Sequence, residues 1–256
     1  MFKKFLFVIA VLLGFVYVNN AYAENIDLSA DNGLEWNQKE KKISMHKNAI
    51  AKTPTYELRA DDIEALYKDD KKIYKIFAVG NVQVKSDTET ITTDKMTYNI
   101  DDEIIELFAV ENPVVMVGQD SKMTAKKDVI YYKAKNYADA HNVKLEHSNR
   151  ILFADKVKVS FKNVKGKNKV EKVNAMDNIK IVDGEEELYG DLAEYNPING
   201  FAKVWGNVYF KKGSQANLSG GSIIYDMNTG IAKILPKEKE GKVTGAFSTE
   251  TTSKKK

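Results

Sequence analysis

The residues that could do chemistry are few and scattered. Three histidines, His46, His141 and His147, stand in a chain with no cysteine. No His-x-x-x-His pair and no Asp/Glu pattern at metal-ligand spacing accompanies them, so the sequence offers no donor set for a metal centre. A Gly-x-Ser-x-Gly elbow and a glycine-rich phosphate loop are both missing. Asp61, Asp94, Asp155 and Asp191 each follow a small residue. Stacked carboxylates of this kind could bind calcium or cut a sugar, but Lys126, Gly221 and Asn32-Gly33 interrupt the series, and calcium takes several oxygen ligands. A polar side chain that bonds backbone freed by a bulge accounts for the interruptions better. The residues therefore argue for no enzyme and no cofactor.

The elements that carry these aspartates repeat. Asn48, Asn81, Asn112, Asn142, Asn178 and Asn207 are separated by 33, 31, 30, 36 and 29 residues. Around them apolar residues hold one parity, as in Ile76, Ala78, Val82 and Val84, and a period of two means a strand with one buried face. Upstream of each lies an apolar residue followed two positions later by a small one, from Leu28/Ala30 through Leu58/Ala60, Ile91/Thr93, Met123/Ala125, Leu152/Ala154 and Leu188/Gly190 to Leu218/Gly220. After the small residue the apolar parity changes, which places bulges just after residues 60, 93, 154 and 190. Each outgoing strand ends in an aromatic before a polar turn: Trp36, Tyr67, Tyr98, Tyr132, Phe161, Tyr195 or Tyr225.

Turn signals such as Asn196-Pro-Ile-Asn-Gly200 and Asp226-Met-Asn-Thr-Gly230 join the strands as hairpins. Seven strand-turn-strand repeats thus predict an all-β, antiparallel meander of about fourteen strands in one domain over 24–236. By propensity alone Ala60 to Lys68 would form a helical turn. The repeat places it in a strand.

Lys3 and Lys4, an apolar run from Phe5 to Val18 and Ala21-Tyr22-Ala23 describe a signal peptide over 1–23, cleaved after Ala23, and an exported, periplasmic protein. Cleavage takes away two lysines and lowers the net charge from +3 to +1, which gives nucleic acid no hold. Residues 237–256, rich in lysine, read as a disordered basic tail.

With Leu58-Arg-Ala-Asp61, Ala78-Val-Gly-Asn-Val82, Leu188-Tyr-Gly-Asp191 and Val204-Trp-Gly-Asn-Val208 in view, the chain resembles the OstA-like family over its length to about residue 236. That resemblance implies an open β-jellyroll whose apolar interior holds the acyl chains of lipopolysaccharide or a related glycolipid. It also implies a bridge between the membranes, with head-to-tail self-association and contacts to an inner-membrane LptC-like protein and an outer-membrane LptD-like protein. Departures from the pattern are Glu111-Asn-Pro113 and Asp177-Asn-Ile179 where the repeat has Gly-Asn-Val. The rival readings are a repeat-built protein that binds or cleaves polysaccharide, and a membrane-anchored LptC-like subunit if the N-terminal segment stays attached.

Parity assigns the lipid path to Ile76, Val82, Val84, Leu107 and Val115 in the first part of the chain. In the second it assigns Val143, Leu145, Val173, Ile179, Ile181, Val204, Val208 and Phe210. An open meander leaves its first and last strands unpaired, so partner contacts are expected at Ile26, Leu28 and Leu34 on one edge and at Ile223, Ile224, Ile231 and Ile234 on the other.

Overall fold

The structure is a computed structural model that describes residues 26–118, 121–147, 149–164, 167–196, 199–214, 216–226, 228–229, 231–237 and 241–247. The expected signal peptide and its cleavage site lie outside the described residues. Eighteen antiparallel segments form one sheet. In chain order they are β1 (Asp27–Ser29), β2 (Leu34–Asn37), β3 (Lys42–Lys52), β4 (Glu57–Tyr67), β5 (Ile73–Lys85), β6 (Thr90–Asn99), β7 (Ile104–Phe108), β8 (Val114–Val117) and β9 (Ser121–Ala125). The second part holds β10 (Asp128–Tyr132), β11 (Tyr137–His147), β12 (Arg150–Val164), β13 (Lys167–Asp183), β14 (Glu186–Asn196), β15 (Phe201–Lys212), β16 (Ala216–Asp226), β17 (Ile231–Leu235) and β18 (Thr244–Phe247). A single turn of 3₁₀ helix, Lys133–Lys135, connects β10 to β11.

These eighteen segments are fourteen courses, because four courses are each interrupted once. β1 and β2 pair with opposite ends of β3, β7 and β8 with opposite ends of β6, and β17 and β18 with opposite ends of β16. β9 and β10 likewise share β11. Ala60 to Tyr67 lies in β4, as the repeat required.

Every course changes direction at one seam that crosses the whole sheet. Register shifts fall between His46 and Ala49, Val79 and Val82, Met176 and Ile179, and Trp205 and Val208. The extra residue therefore sits on the return strand, at the Asn, while the outgoing strand beside it advances regularly. The expectation of bulges just after residues 60, 93, 154 and 190 placed the seam correctly and assigned the extra residue to the wrong strand. The backbone explains why: Lys47-Asn48, Gly80-Asn81, Asp177-Asn178 and Gly206-Asn207 hold two successive positive φ angles. Gly and Asn tolerate that region best.

The seam divides the sheet into two halves, one containing β7 and the other containing β8. Inward side chains from both build one continuous cluster, from Met45 and Ile63 through Val129 and Leu152 to Val204 and Tyr225. An all-β jellyroll results, with the core between the two halves. The basic tail is corrected in part: Thr244–Phe247, within the stretch expected to be disordered, forms β18 and pairs with Ala216–Ser219 of β16.

Candidate functional site

The recurrent aspartates are the seam's fasteners. Asn48 donates to Asp31 at 2.7 Å, Asn81 to Asp61 at 2.9 Å, Asn178 to Asp155 at 2.6 Å and Asn207 to Asp191 at 2.8 Å. An added Cβ at Gly80 or Gly206 would collide with the carboxylate of Asp61 or Asp191, so glycine is demanded there by both φ and space. At Glu111-Asn112-Pro113 the pattern differs. Asp94 accepts the backbone N–H of Val110, Glu111 and Asn112 at 2.7, 2.7 and 2.8 Å, and the Asn112 amide at 3.0 Å. The Asn112 side chain first, then these backbone donors, hold its carboxyl down at about 2. In the copy with Lys126, the backbone alone closes the seam through the Lys126 N–H to Asn142 O at 3.0 Å. His141 pairs with Asp128 beside it and His46 with Asp62. Among the described residues no cluster of three or more His, Asp or Glu could hold a metal ion.

The interior is the other candidate site, and it is packed. Val82, Leu107, Val143, Leu145, Val173, Ile179, Ile181, Val204, Val208 and Phe210 are all buried, and Ile76 and Val84 pack partly buried against them. The structure thus brings twelve of the thirteen residues assigned to the lipid path onto one inward surface. Val115 is the correction. In β8 the inward positions are Val114, fully buried, and Met116, whereas Val115 pairs with Thr92 and Thr124 on the outward parity. The interruption of the course between β7 and β8, at Glu111-Asn112-Pro113, resets the alternation, and the sequence does not show how many residues the break consumes.

The small residues are packed into the seam, and one aromatic expectation changes. Ala60, Thr93, Ala125 and Ala154 are buried, and an added Cβ at Gly190 would meet the Val204 side chain, so smallness lets the return strand cross close at the seam. The aromatic at the end of β10 that points inward is Tyr131, packed edge-on against Phe161 at 5.8 Å, and Tyr132 stacks outside on Tyr137.

Of the expected partner edges, the first is exposed: Ile26, Leu28, Leu34 and Trp36 are all open to solvent. At the other end Ile223 is buried in the core and Ile224 pairs on both sides, with Lys203 of β15 and Lys233 of β17. Those two are not edge residues. β17 and β18 form the last course, where Ile231 is exposed and Ile234 packs against the core.

Sequence reasoning missed a shallow notch near the β8 to β9 hairpin. It is lined by Glu89, Ile91, Met116, Val117, Gly118, Ser121, Met123 and Leu145. The signal was present in the paired methionines, at positions where the other repeats have Leu, Ile, Val or Phe.

Residues 124–231 match the family model described as LptA/(LptD N-terminal domain) LPS transport protein. No curated protein matches the chain. Among solved structures the chain is similar to LptH, the LptA homologous periplasmic component of the conserved lipopolysaccharide transport device from Pseudomonas aeruginosa. Identity is 9% over 88% of this chain and 96% of that one, with a TM-score of 0.23. The matched segment runs from the end of β9 to the start of β17.

Proposed function

We propose that this OstA-like chain is a periplasmic carrier that shields the acyl chains of lipopolysaccharide or a related glycolipid between the two halves of its sheet, as part of a bridge between the membranes. One observation carries the reading. A single apolar surface runs from β3 to β17 without a charged side chain among its buried members, in a sheet whose first and last courses each pair on one side only. An apolar interior continuous along a molecule transfers an alkyl chain without exposing it to water, which costs on the order of 0.8 kcal/mol per CH₂. The halves are closed on each other here, so acyl chains enter by parting them. The seam hinges that motion, because its Asp–Asn bonds hold the bend.

Assembly follows from the edges. β1 and β2 present exposed Leu28, Leu34 and Trp36, and β17 presents Ile231. Pairing one molecule's last course with the next one's first satisfies backbone groups and aligns the interiors, and such contacts are head to tail. LptC-like and LptD-like proteins with matching edges would extend the path at either end. Leu34→Lys with Ile231→Lys places charge on both edges and leaves the core intact, and it is expected to abolish concentration-dependent association in sedimentation. The function itself is tested by purifying the protein from a lipopolysaccharide-producing host and identifying bound lipid by mass spectrometry. Recovery of a glycolipid supports the carrier; purification free of lipid, with no uptake of added lipopolysaccharide, overturns it.

A further inference from the structure

The cross-strand rows of the sheet run unbroken from its first course to its last. One outward row starts at Glu35 of β2, opposite Ser44, and passes strand by strand to Lys203, Ile224 and finally Lys233 of β17. The inward row beside it starts at Leu34, opposite Met45, and ends with Val204, Ile223 and Ile234. In the other half, the inward row that starts at Leu28 of β1 ends with Leu218 and Gly245 of β18. Fourteen courses are an even number, so the last runs antiparallel to the first. A second copy set in the same orientation beyond the last course therefore continues the antiparallel alternation.

The two edges also differ in charge. β1 and β2 hold Asp27 and Glu35 and no lysine or arginine, whereas β17 and β18 hold Lys233 and no carboxylate. Glu35 and Lys233 are both exposed, and they are the two ends of one row.

We infer that the partner of this edge is a second copy of the chain, docked in the register that continues every row, with Glu35 of the incoming copy opposite Lys233. The inference rests on the edge pairing proposed above and adds the partner and the register. In this register the incoming Leu34 follows Ile234 in its row and the incoming Trp36 follows Ala232, so the apolar surface crosses the junction. A slip of one residue would turn Leu34 to the outer face. A slip of two keeps the faces but sets Glu35 against Ile231 or Leu235 and leaves both charges without a partner. Two first edges brought together would oppose carboxylates, and two last edges would oppose lysines; like charges across a strand pair are destabilising. Charge thus selects head-to-tail pairing over a two-fold dimer.

The chain has no cysteine, so paired substitutions report the register without background. Glu35→Cys/Lys233→Cys under mild oxidation is expected to give a ladder of disulfide-linked multimers on a denaturing gel, and Glu35→Cys/Ile231→Cys is expected to stay monomeric. In sedimentation at low salt, Glu35→Lys and Lys233→Glu, each alone, are expected to weaken association about fivefold. Mixing the two variants is expected to restore it, because every junction between unlike copies then joins opposite charges. Multimers from both cysteine pairs alike, or unchanged association of the two single charge variants, overturns this register and its charge pair while edge pairing stands. A wild-type chain that stays monomeric at every concentration overturns both. Recovery of bound lipid is a separate readout, so failure of the register and failure of the carrier are told apart.

Discussion

The long courses β12 to β15 and the short segments β7 to β10 solve the same problem in two ways. β12 to β15 run 15, 17, 11 and 12 residues straight through the seam. Segments β7 to β10 are 4 or 5 residues each and stop at it. At Asp177-Asn178 and Gly206-Asn207 two left-handed residues absorb the bend, so the ladder resumes at once on the far side. At Glu111-Asn112-Pro113 no positive φ is adopted, and Pro113 has no N–H to donate, so the ladder breaks. Asp94 then gathers the N–H groups the break sets free. A left-handed Asn preserves strand continuity across the fold line, and the sheet is locally weak at Asn112, where none is adopted.

The largest expected effect separates the two regions by packing. Leu152→Ala, at a fully buried position of β12, is expected to lower stability by about 2–5 kcal/mol in denaturant unfolding, as buried Leu truncations do. Met116→Ala, at a half-buried position of β8, is expected to cost about 1 kcal/mol. Equal losses would remove the distinction between firm and weak regions.

Next in size is Gly206→Ala. A side chain in the left-handed region costs about 1–2 kcal/mol, and here its Cβ also meets Asp191. Adding Asp191→Ala removes the carboxylate part of the collision, leaves the contact with the Cβ of residue 191 at 2.8 Å, and is expected to restore part of the loss, with the φ contribution remaining. If the double variant is no more stable than Gly206→Ala, the carboxylate does not crowd the glycine.

A smaller, pH-dependent effect belongs to the short region. The Asn112 amide and the N–H groups of Asn112, Val110 and Glu111 hold Asp94 at about 2, below its ordinary 3.8. A lowered folded-state value means the stabilisation is complete above about pH 4 and disappears as pH falls through about 2. Titration followed at the Asp94 carboxyl carbon should give that low midpoint, and Asp94→Asn should flatten the stability profile across that window. A midpoint near 4 would show the break is held by something else. The smallest change sharpens the comparison from the other side: Pro113→Val returns a donor to the broken course, and slower hydrogen exchange at Val114 is the expected readout, without a change of fold.

The fourteen courses were legible because Asn48, Asn81, Asn112, Asn142, Asn178 and Asn207 mark the seam at regular spacing, and alternation does the rest. The inward placement of twelve residues followed from parity alone. Val115 did not, because parity carries across a bulge of known size but not across an interrupted course, where the number of residues consumed by the break is invisible. Tyr131 and Tyr132 pose the same ambiguity, since two adjacent tyrosines both satisfy an aromatic end. Which strand bears the extra residue was hidden too: Asp61 and Gly80-Asn81 change register together, and only the backbone angles show that the Asn side bends. β18 was missed because Thr244 to Phe247 lies in a stretch whose composition is that of a tail, and four residues are too few to show a period.

On the proposed function, the inward surface and no other carries lipid. Photo-crosslinking residues placed singly at Val173, Ile181 and Phe210, and at Gln83, Lys144 and Lys180 on the outward parity, test it in cells that make lipopolysaccharide. Lipid adducts are expected at the first three positions and none above background at the second three. Equal capture on both faces would contradict it.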